Sequence, residues 1–170
     1  MGGTHHTTAP MTTEERERIS DAEQNALAWS DQITAAWEAH GFCCEEGEGR
    51  YLSREAKAVL KEHGFDGTNH NYVADEIEEA MRESVLSVEI RSGWQEPGDG
   101  ASVDPDEFRI LLSTGGPALR IMGELDRCEP SRCWLEIQDW GTPWTRYFSR
   151  SAERATALLW FAGLFWYGEG

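Results

Sequence analysis

The chain has 170 residues, 39% of them hydrophobic, and 31 acidic against 15 basic residues give it a formal net charge of −16. That length is enough for one domain with a buried core, and a second independent domain is not expected. The acid excess argues against direct binding to nucleic acid or to an anionic membrane, because both require cationic groups against phosphate. It favours a basic protein partner, or it serves solubility alone, as in salt-loving organisms.

The termini and the cysteines suggest a cytoplasmic protein. Residues 1–11 are polar and small, have no apolar leader segment, and are expected to form a disordered tail. The longest apolar run, Leu158 to Tyr167, is too short to span a bilayer. In a reducing compartment the cysteines are expected as free thiols, although Cys128 and Cys133 flank a turn across which they can pair.

Residues 12–170 are expected to form a single domain, with helices in 12–85, an antiparallel sheet in 86–150 and a helix in 151–170. The first helix is predicted from Thr13 to His40, with Gly41 as its stop. One face of this helix repeats at three- and four-residue steps, namely Ile19, Ala22, Ala26, Trp29, Ile33, Trp37 and His40. An acidic loop, 45–49, follows.

Two shorter helices complete the N-terminal part. Ser53 is expected to cap the second helix and Gly64 to end it. The third is predicted from Asn71 to Ser84. Its inner face comprises Val73, Ile77, Ala80 and Met81, and its outer face comprises Asp75, Glu76, Glu78, Glu79 and Glu83, with Arg82 as the one cation.

The hydrophobic period then changes from helical to alternating. Strands are predicted at Ser87–Trp94, Phe108–Ser113, Ala118–Leu125 and Cys133–Trp140, joined by a loop over 95–106 and turns over 114–117 and 126–132. Short connections indicate an antiparallel meander of four strands. A final helix from Ala152 to Tyr167 is apolar enough to require cover and is expected to lie on the inner face of the sheet. The fold class is therefore α+β.

The polar face of that sheet is the first candidate surface. Alternation places on it Glu89, Arg91, Arg109, Arg120, Glu124, Glu136 and Gln138, with Trp134 and Trp140 in phase with Glu136. Cross-strand charge pairing on a solvated face explains these residues, and so does a binding face, because Arg and Trp are common at interaction hot spots. Trp140 and Trp144 bracket a Gly-Thr-Pro turn that either packs the last helix or offers an aromatic shelf.

No recognised catalytic or cofactor motif is present, and neither an enzymatic activity nor a cofactor is predicted. The Gly115-Gly116 turn lacks the spacing of a phosphate loop, and there is no nucleophile elbow or evident Cys–His pair. A zinc site is not predicted, because neither Cys43 and Cys44 nor the other cysteine pair has CxxC spacing. His40 and His63 fall on apolar helix faces and are expected as partly buried histidines.

The second half of the chain carries a distinctive string. It reads SVEIRSGW at 87–94, EFRILLSTGGPA at 107–118, GEL at 123–125 and WLEIQDWGTPWT at 134–145, and the chain ends with an aromatic-Gly-Glu segment at 166–169. This half resembles an uncharacterised family of small proteins carried on phages and plasmids of Gram-negative bacteria. The resemblance implies a gene of a mobile element and no particular chemistry.

Small acidic proteins of mobile elements often inhibit host defence, some by imitating the charge of DNA. The main hypothesis is therefore a non-enzymatic inhibitor or decoy, of the anti-CRISPR or anti-restriction type, acting in the host cytoplasm as a monomer or homodimer. It would bind a basic host protein or nucleoprotein complex. The predicted contact residues are Glu45, Glu46, Glu48, Asp75, Glu76, Glu79 and Glu83.

Two alternatives stay open. In the first, the polar sheet face forms a small-ligand site or an enzyme site, whose residues are Arg91, Arg109, Arg120, Trp134, Glu136, Trp140 and Trp144. In the second, the chain is an acidic structural protein of a halophile, and its charge serves only to keep it soluble.

Overall fold

A computed structural model describes residues 13–45, 51–93, 104–148 and 151–168, with side chains from residue 21 onward. Within these residues the chain is α+β, with four helices and one antiparallel sheet of five strands. The predicted tail, the side chain of Ile19, and Glu46 and Glu48 lie outside the described residues. None of the helices in the described part is both long and apolar enough to cross a lipid bilayer.

The helices are α1 (Thr13–Cys44), α2 (Arg54–Glu62), α3 (His70–Glu83) and α4 (Ala152–Ala162). The strands are β1 (Ser87–Arg91), β2 (Glu107–Ser113), β3 (Ala118–Asp126), β4 (Glu129–Gln138) and β5 (Thr145–Tyr147). The strands follow one another across the sheet in chain order, so the sheet is an antiparallel meander. The predicted meander is thus correct in kind but has five strands, not four.

Helix α1 is the centre of the helical layer. It contacts α2, α3 and α4, and it lies with α4 over the inner face of the sheet at β3 and β4. Small buried residues let the neighbouring helices approach closely, among them Ala22, Ala26, Ala36 and Ala39, while Ile33 fills the space between them. The predicted inner face is confirmed at Ala22, Ala26 and Ile33, and Trp29, Trp37 and His40 are partly buried.

The predicted end of the first helix at Gly41 is wrong, because α1 continues to Cys44. Cys43 is only 1% exposed, and the Phe42 ring packs against Phe65 and His70 at centroid distances of 5.7 and 6.0 Å. This burial stabilises one more helical turn, which outweighs the roughly 1 kcal/mol that glycine costs inside a helix.

The turn between β3 and β4 is shorter than predicted. Arg127 and Cys128 both have positive φ, at 51° and 63°, so two residues reverse the chain, and Glu129 pairs directly with Asp126. Two consecutive positive φ values are typical of the tight hairpin turn, where asparagine and glycine are usual. Without those residues the sequence does not show where within the predicted turn, 126–132, the chain reverses, and this explains why the fourth strand is predicted to start only at Cys133.

The inner face of the sheet holds one close pairing that fixes the register of β2 against β3. Phe108 lies directly opposite Gly123, and a Cβ atom on Gly123 would lie 2.3 Å from the Phe108 ring and 2.6 Å from the carbonyl oxygen of Arg132. Only glycine fits this position without movement of the backbone. Phe108 is 1% exposed and contacts the ring of Tyr167 at 4.9 Å.

The last helix also differs from its prediction. It ends at Ala162, and the chain then turns so that Tyr167 is buried and its hydroxyl donates to the Ala162 carbonyl oxygen at 2.8 Å. The segment after the helix, predicted as a further helical turn, instead brings an aromatic ring under β2. Trp166 on the same segment is 78% exposed.

Candidate functional site

The structure places the candidate residues on two separate surfaces. The first is the outer face of the sheet, formed by the alternate strand residues that point away from the helices. Its charged members are Glu89, Arg91, Glu107, Arg109, Arg120, Glu124, Arg132, Glu136 and Arg146. The second is the exposed side of α3.

On the outer face of the sheet, carboxylates pair with arginines across neighbouring strands. Arg91 binds Glu107, Arg109 binds Glu89 and Arg132 binds Glu124, all between exposed side chains. Such exposed pairs contribute roughly 0 to 1 kcal/mol each. They show that the face is occupied by its own counter-charges.

The Arg120–Glu136 pair is different because it is mostly shielded from water. The two side chains are 16% and 18% exposed, and Arg120 donates from Nε and Nη2 to Oε2 of Glu136 at 2.9 and 2.7 Å. Trp134 Nε1 donates to the other oxygen at 2.9 Å, and the Trp144 ring lies 4.0 Å from the Arg120 guanidinium. Both carboxylate oxygens of Glu136 therefore have a donor.

Aromatic rings complete this group. The Arg146 guanidinium, at the register position opposite Glu136, stacks on Trp134 at 4.4 Å and lies 5.6 Å from Phe148. Arg120, Glu136, Trp134, Trp144 and Arg146 thus form one contiguous cluster over β3, β4 and β5. Strand β5 was missed in the sequence because its three residues follow a Pro-containing turn.

For the predicted ligand face, the structure brings Arg120, Trp134, Glu136 and Trp144 together. Arg91 lies on β1 and Arg109 on β2, and each forms an ion pair with its own glutamate. An anion would have to displace a carboxylate from any of these three arginines, because every one already has a partner.

Trp140 does not lie on the sheet face where alternation predicted it. Strand β4 ends at Gln138, and Trp140 sits in the following turn, where its Nε1 donates to the Gly115 carbonyl oxygen at 3.0 Å. Its ring covers Gly116, where a Cβ atom would lie 1.9 Å from Nε1. Trp140 therefore links the β2–β3 turn to the turn after β4, although it is 72% exposed.

The exposed side of α3 has the opposite electrostatic character. Asp75, Glu79 and Glu83 are exposed and Glu76 is half-buried, and among the described residues none of the four forms an ion pair with a Lys, Arg or His side chain. We call these four residues the α3 stripe. Glu78, the fifth acid of the helix, points toward α1 and binds His40 at 2.9 Å and Arg82 at 3.0 Å.

Glu45, the described member of the predicted acidic loop, directly follows α1 and is exposed. It has an interaction partner of its own. The stripe on α3 therefore carries most of what the structure describes of the predicted partner-binding set.

A cysteine and a histidine come together where the sequence showed no pair. Continuation of α1 to Cys44 puts its Sγ one turn from His40, at 3.8 Å from Nδ1 and 3.6 Å from Nε2. A sulfur in line with one ring nitrogen lies much farther from the other, so nearly equal distances place Sγ over the ring or beside Cε1, where no lone pair points. The pKa of Cys44 is raised above its ordinary value. The largest cause is partial burial, and the negative charges of Glu78, Glu45 and Asp75 add to it.

The position of Sγ relative to the ring and the raised pKa both argue against activation of Cys44 by His40, because the thiolate is the reactive form of cysteine. Glu78 orients His40, and the ring contacts Trp160 at 5.2 Å. The group therefore ties α1 to α3 and α4.

Four carboxylates line an open cleft of about 450 Å³ that the sequence did not reveal. They are Asp31, Glu38, Glu55 and Glu153, from three different helices, together with Arg154. Glu55 and Glu153 lie in the first turns of α2 and α4, after the capping residues Ser53 and Ser151, where the helix dipole stabilises a negative charge. The repeated Ser-x-Glu spacing at the two helix starts is the signal that finds this pair.

The four cysteines are free thiols in the structure. Burial raises the pKa of Cys133 to about 12, so this thiol is unreactive at neutral pH. In the described part of the chain, no group of three or more His, Cys, Asp or Glu side chains is arranged to hold a metal ion.

Comparison of the chain with protein-family models, curated proteins and solved structures found no match. The resemblance of residues 87–145 to mobile-element proteins therefore stays a prediction. The outer face of the sheet and the exposed side of α3 are the features that bear on function.

Proposed function

We propose that this chain is a non-enzymatic inhibitor or decoy, and that the α3 stripe binds a basic protein surface. The observation that carries the proposal is the lack of cationic partners for Asp75, Glu76, Glu79 and Glu83 within the described residues. On the sheet, by contrast, six charged side chains out of nine belong to exposed pairs that already neutralise each other.

The stripe opposes the stability of its own helix. Asp75 and Glu79, and then Glu79 and Glu83, are four residues apart, a spacing at which like charges repel on a helix. Glu83 is also the last residue of α3, where the helix dipole disfavours a negative charge. A sequence that departs from local stability rules at one place indicates that the residues there serve another purpose.

One aromatic residue extends the stripe by a helical turn. Tyr72 is 61% exposed, and its hydroxyl donates to Glu76, a bond that raises the pKa of the tyrosine. Tyrosine is common at the energetic centres of protein interfaces, because it buries a large ring and keeps a polar tip. Tyr72 gives the stripe an anchor in addition to charge.

A partner with a basic groove fits this surface. The net charge of −16 steers such a partner toward the chain, and the unpaired carboxylates give the contact its place. The resemblance to mobile-element proteins supports a partner from host defence, such as a restriction nuclease or a CRISPR complex, whose DNA channel is basic.

The test compares two triple variants that remove the same charge. D75N/E79Q/E83Q neutralises the three exposed acids of the stripe, and D21N/E23Q/E62Q neutralises three exposed acids on α1 and α2. Each is added to DNA-cleavage reactions of purified restriction nucleases and CRISPR complexes at low and at physiological salt, and binding is measured in parallel.

We expect the unmodified chain to inhibit at least one of these enzymes, less so as salt rises, and to be displaced by duplex DNA. We expect the dissociation constant of the stripe variant to rise at least about tenfold. That of the control variant should stay within about threefold, because only the stripe contacts the partner. Equal loss in both variants would leave only a diffuse charge effect. No inhibition anywhere, with both variants less soluble in concentrated salt, would favour the acidic structural protein.

A further inference from the structure

Strand β1 forms an open edge of the sheet. Its five residues pair with β2 on one side, and no described strand pairs with the other side. The opposite edge, β5, is only three residues long. Short edge strands resist pairing with another chain, whereas a longer edge leaves a row of backbone groups available to a further strand.

The core covers the start of this edge at Val88, which packs against it, and leaves the later part of the strand exposed. Helices α1 and α4 lie over β3 and β4, and on the helix-facing side of β1 the Ile90 side chain is 54% exposed. Leu86, just before the strand, is 58% exposed. Another strand can therefore approach β1 at the exposed Ile90.

On the outer side, β1 carries two exposed charges of opposite sign at adjacent positions of the same face. Glu89 and Arg91 each hold a partner on β2, namely Arg109 and Glu107. Like charges on an edge would repel a second copy. Because the strand carries both a glutamate and an arginine, the glutamate of one copy can instead lie beside the arginine of the other.

The charges select one register for two β1 strands paired antiparallel across a two-fold axis. Directly opposite residues of an antiparallel pair point to the same face of the sheet. The axis therefore passes between the two copies of one residue, which lie opposite each other. An axis at Glu89 sets glutamate against glutamate, and an axis at Arg91 sets arginine against arginine. An axis at Ile90 sets Glu89 against Arg91 twice and Ile90 against itself.

We propose that two copies of this chain associate along β1 in the register centred on Ile90, which joins the two sheets into one of ten strands. Each outer row then alternates in sign across the junction, from Arg109 to Glu89, and on to Arg91 and Glu107 of the second copy. The two Ile90 side chains cover each other on the helix-facing side.

The segment that connects β1 to β2 is the competing occupant of this edge. Its two ends are held together, because Gly93 N–H donates to the Asp106 carboxylate at 2.7 Å and Asp106 N–H donates to the Arg91 carbonyl at 3.0 Å. Residues 94–103 contain two acids and no Lys or Arg, so they supply no cation to lie beside Glu89. A second copy supplies one.

The dimer has a salt dependence opposite to that of the partner complex proposed above. Two copies of net charge −16 repel each other at long range, and salt screens this repulsion more than it screens charges in contact. Self-association should therefore strengthen between very low and physiological ionic strength, whereas binding to a basic partner weakens. The two proposals can fail independently.

The experiment uses charge reversals in the full chain, E89R and R91E, followed by sedimentation equilibrium over a concentration series. In the proposed register each variant alone sets like charges opposite each other, and we expect its dimer dissociation constant to rise at least about tenfold. An equimolar mixture of the two variants restores both unlike pairs, so we expect heterodimers of near-original affinity. R132E reverses a charge of the same face away from the edge and should leave the dimer unchanged.

A covalent probe reports the register directly. In a C44S background, I90C should form an intermolecular disulfide under mild oxidation, because residue 90 faces itself across the axis, and L86C should not. Circular dichroism and melting temperatures establish that each variant is folded.

Three results would overturn the proposal. They are sedimentation of the unmodified chain as a monomer at every concentration and salt, failure of the mixture of E89R and R91E to restore association, and persistence of the dimer in both single variants. Association that appears only after deletion of residues 94–103 would show that this segment covers the edge, and it would count against a second copy.

Discussion

The outer face of the sheet and the exposed side of α3 use acidic residues in opposite ways. The strands hold six acids and five arginines, a formal charge of −1, and four of the six carboxylates are paired with a guanidinium group. The fourteen residues of α3 hold five acids and one arginine, a formal charge of −4. Four acids on the sheet are paired within it, whereas four of the five acids of α3 form no ion pair among the described residues and face solvent or a partner.

The difference teaches that the charge of this chain is segregated and not spread evenly. A protein that is acidic only for solubility has no need to pair its sheet arginines with acids and to leave four acids of one helix without a cation among the described residues.

The largest effect is expected at Gly123, on which the register of the sheet depends. Gly123→Val forces the new side chain against Phe108 and the Arg132 carbonyl, so strands β2 and β3 separate or slip and the charge pairs across them are lost. We expect a loss of about 3 kcal/mol in the free energy of unfolding, measured with urea. If Phe108→Leu does not recover part of the cost of Gly123→Ala in a double-mutant cycle, the ring is not the obstacle.

The second effect concerns the shielded pair. Glu136→Ala leaves the Arg120 guanidinium without its carboxylate in a position only 16% exposed, and we expect a loss of about 2 kcal/mol in unfolding free energy. The matched change Glu124→Ala removes the partner of the exposed Arg132 and should cost about 0.5 kcal/mol. Equal costs would mean that shielding does not distinguish the two pairs.

On α3 the removal of acids should raise the free energy of unfolding, whereas on the sheet it lowers it. Neutralising the stripe with D75N/E79Q/E83Q removes repulsion at four-residue spacing and an unfavourable interaction with the helix dipole. We expect the free energy of unfolding, measured by thermal denaturation, to rise by about 0.5 to 1 kcal/mol at low salt. This gain should shrink as salt is added. A loss of stability would show that these carboxylates have structural partners, and the contrast with the sheet would disappear.

The smallest effect is a rate and not a stability change. Because the pKa of Cys44 is raised above its ordinary value of 9.0, its thiol stays protonated at neutral pH, and alkylation by iodoacetamide should be slower than in the unfolded chain. The rate should rise as pH passes above that value, and Glu78→Gln should accelerate it by removing a nearby negative charge. Rapid alkylation at neutral pH, followed by mass spectrometry, would instead indicate a thiolate supported by His40.

Much of the architecture could be read from periodicity. The change from three- and four-residue steps to alternation near Ser87 located the boundary between helices and sheet, and the inward residues Val73, Ile77 and Met81 of α3 are buried as predicted. The cap at Ser53 is confirmed, since its side chain accepts from the Ala56 N–H at 3.0 Å. These features are local, so neighbouring residues in the sequence suffice to predict them.

The errors lie where distant contacts override local signals. Gly41 marks a helix end by composition, yet burial of Cys43 and Phe42 carries α1 onward. The Arg127-Cys128 turn lacks the usual residues, and β5 is too short to show a period. For the candidate sites, alternation placed Arg91, Arg109 and Arg120 on one face with several glutamates, but it did not show which glutamate each arginine binds.

The sequence by itself determined the fold class, the placement of the charges along the chain and the acidic side of α3, because each depends on residues close together in the chain. Only the tertiary structure decided which charges are neutralised, since that depends on strand register and on which residues of β1 to β5 lie opposite one another. Among the described residues it also left β1 paired on one side only, at the end of the sheet away from β3 and β4, over which α1 and α4 pack.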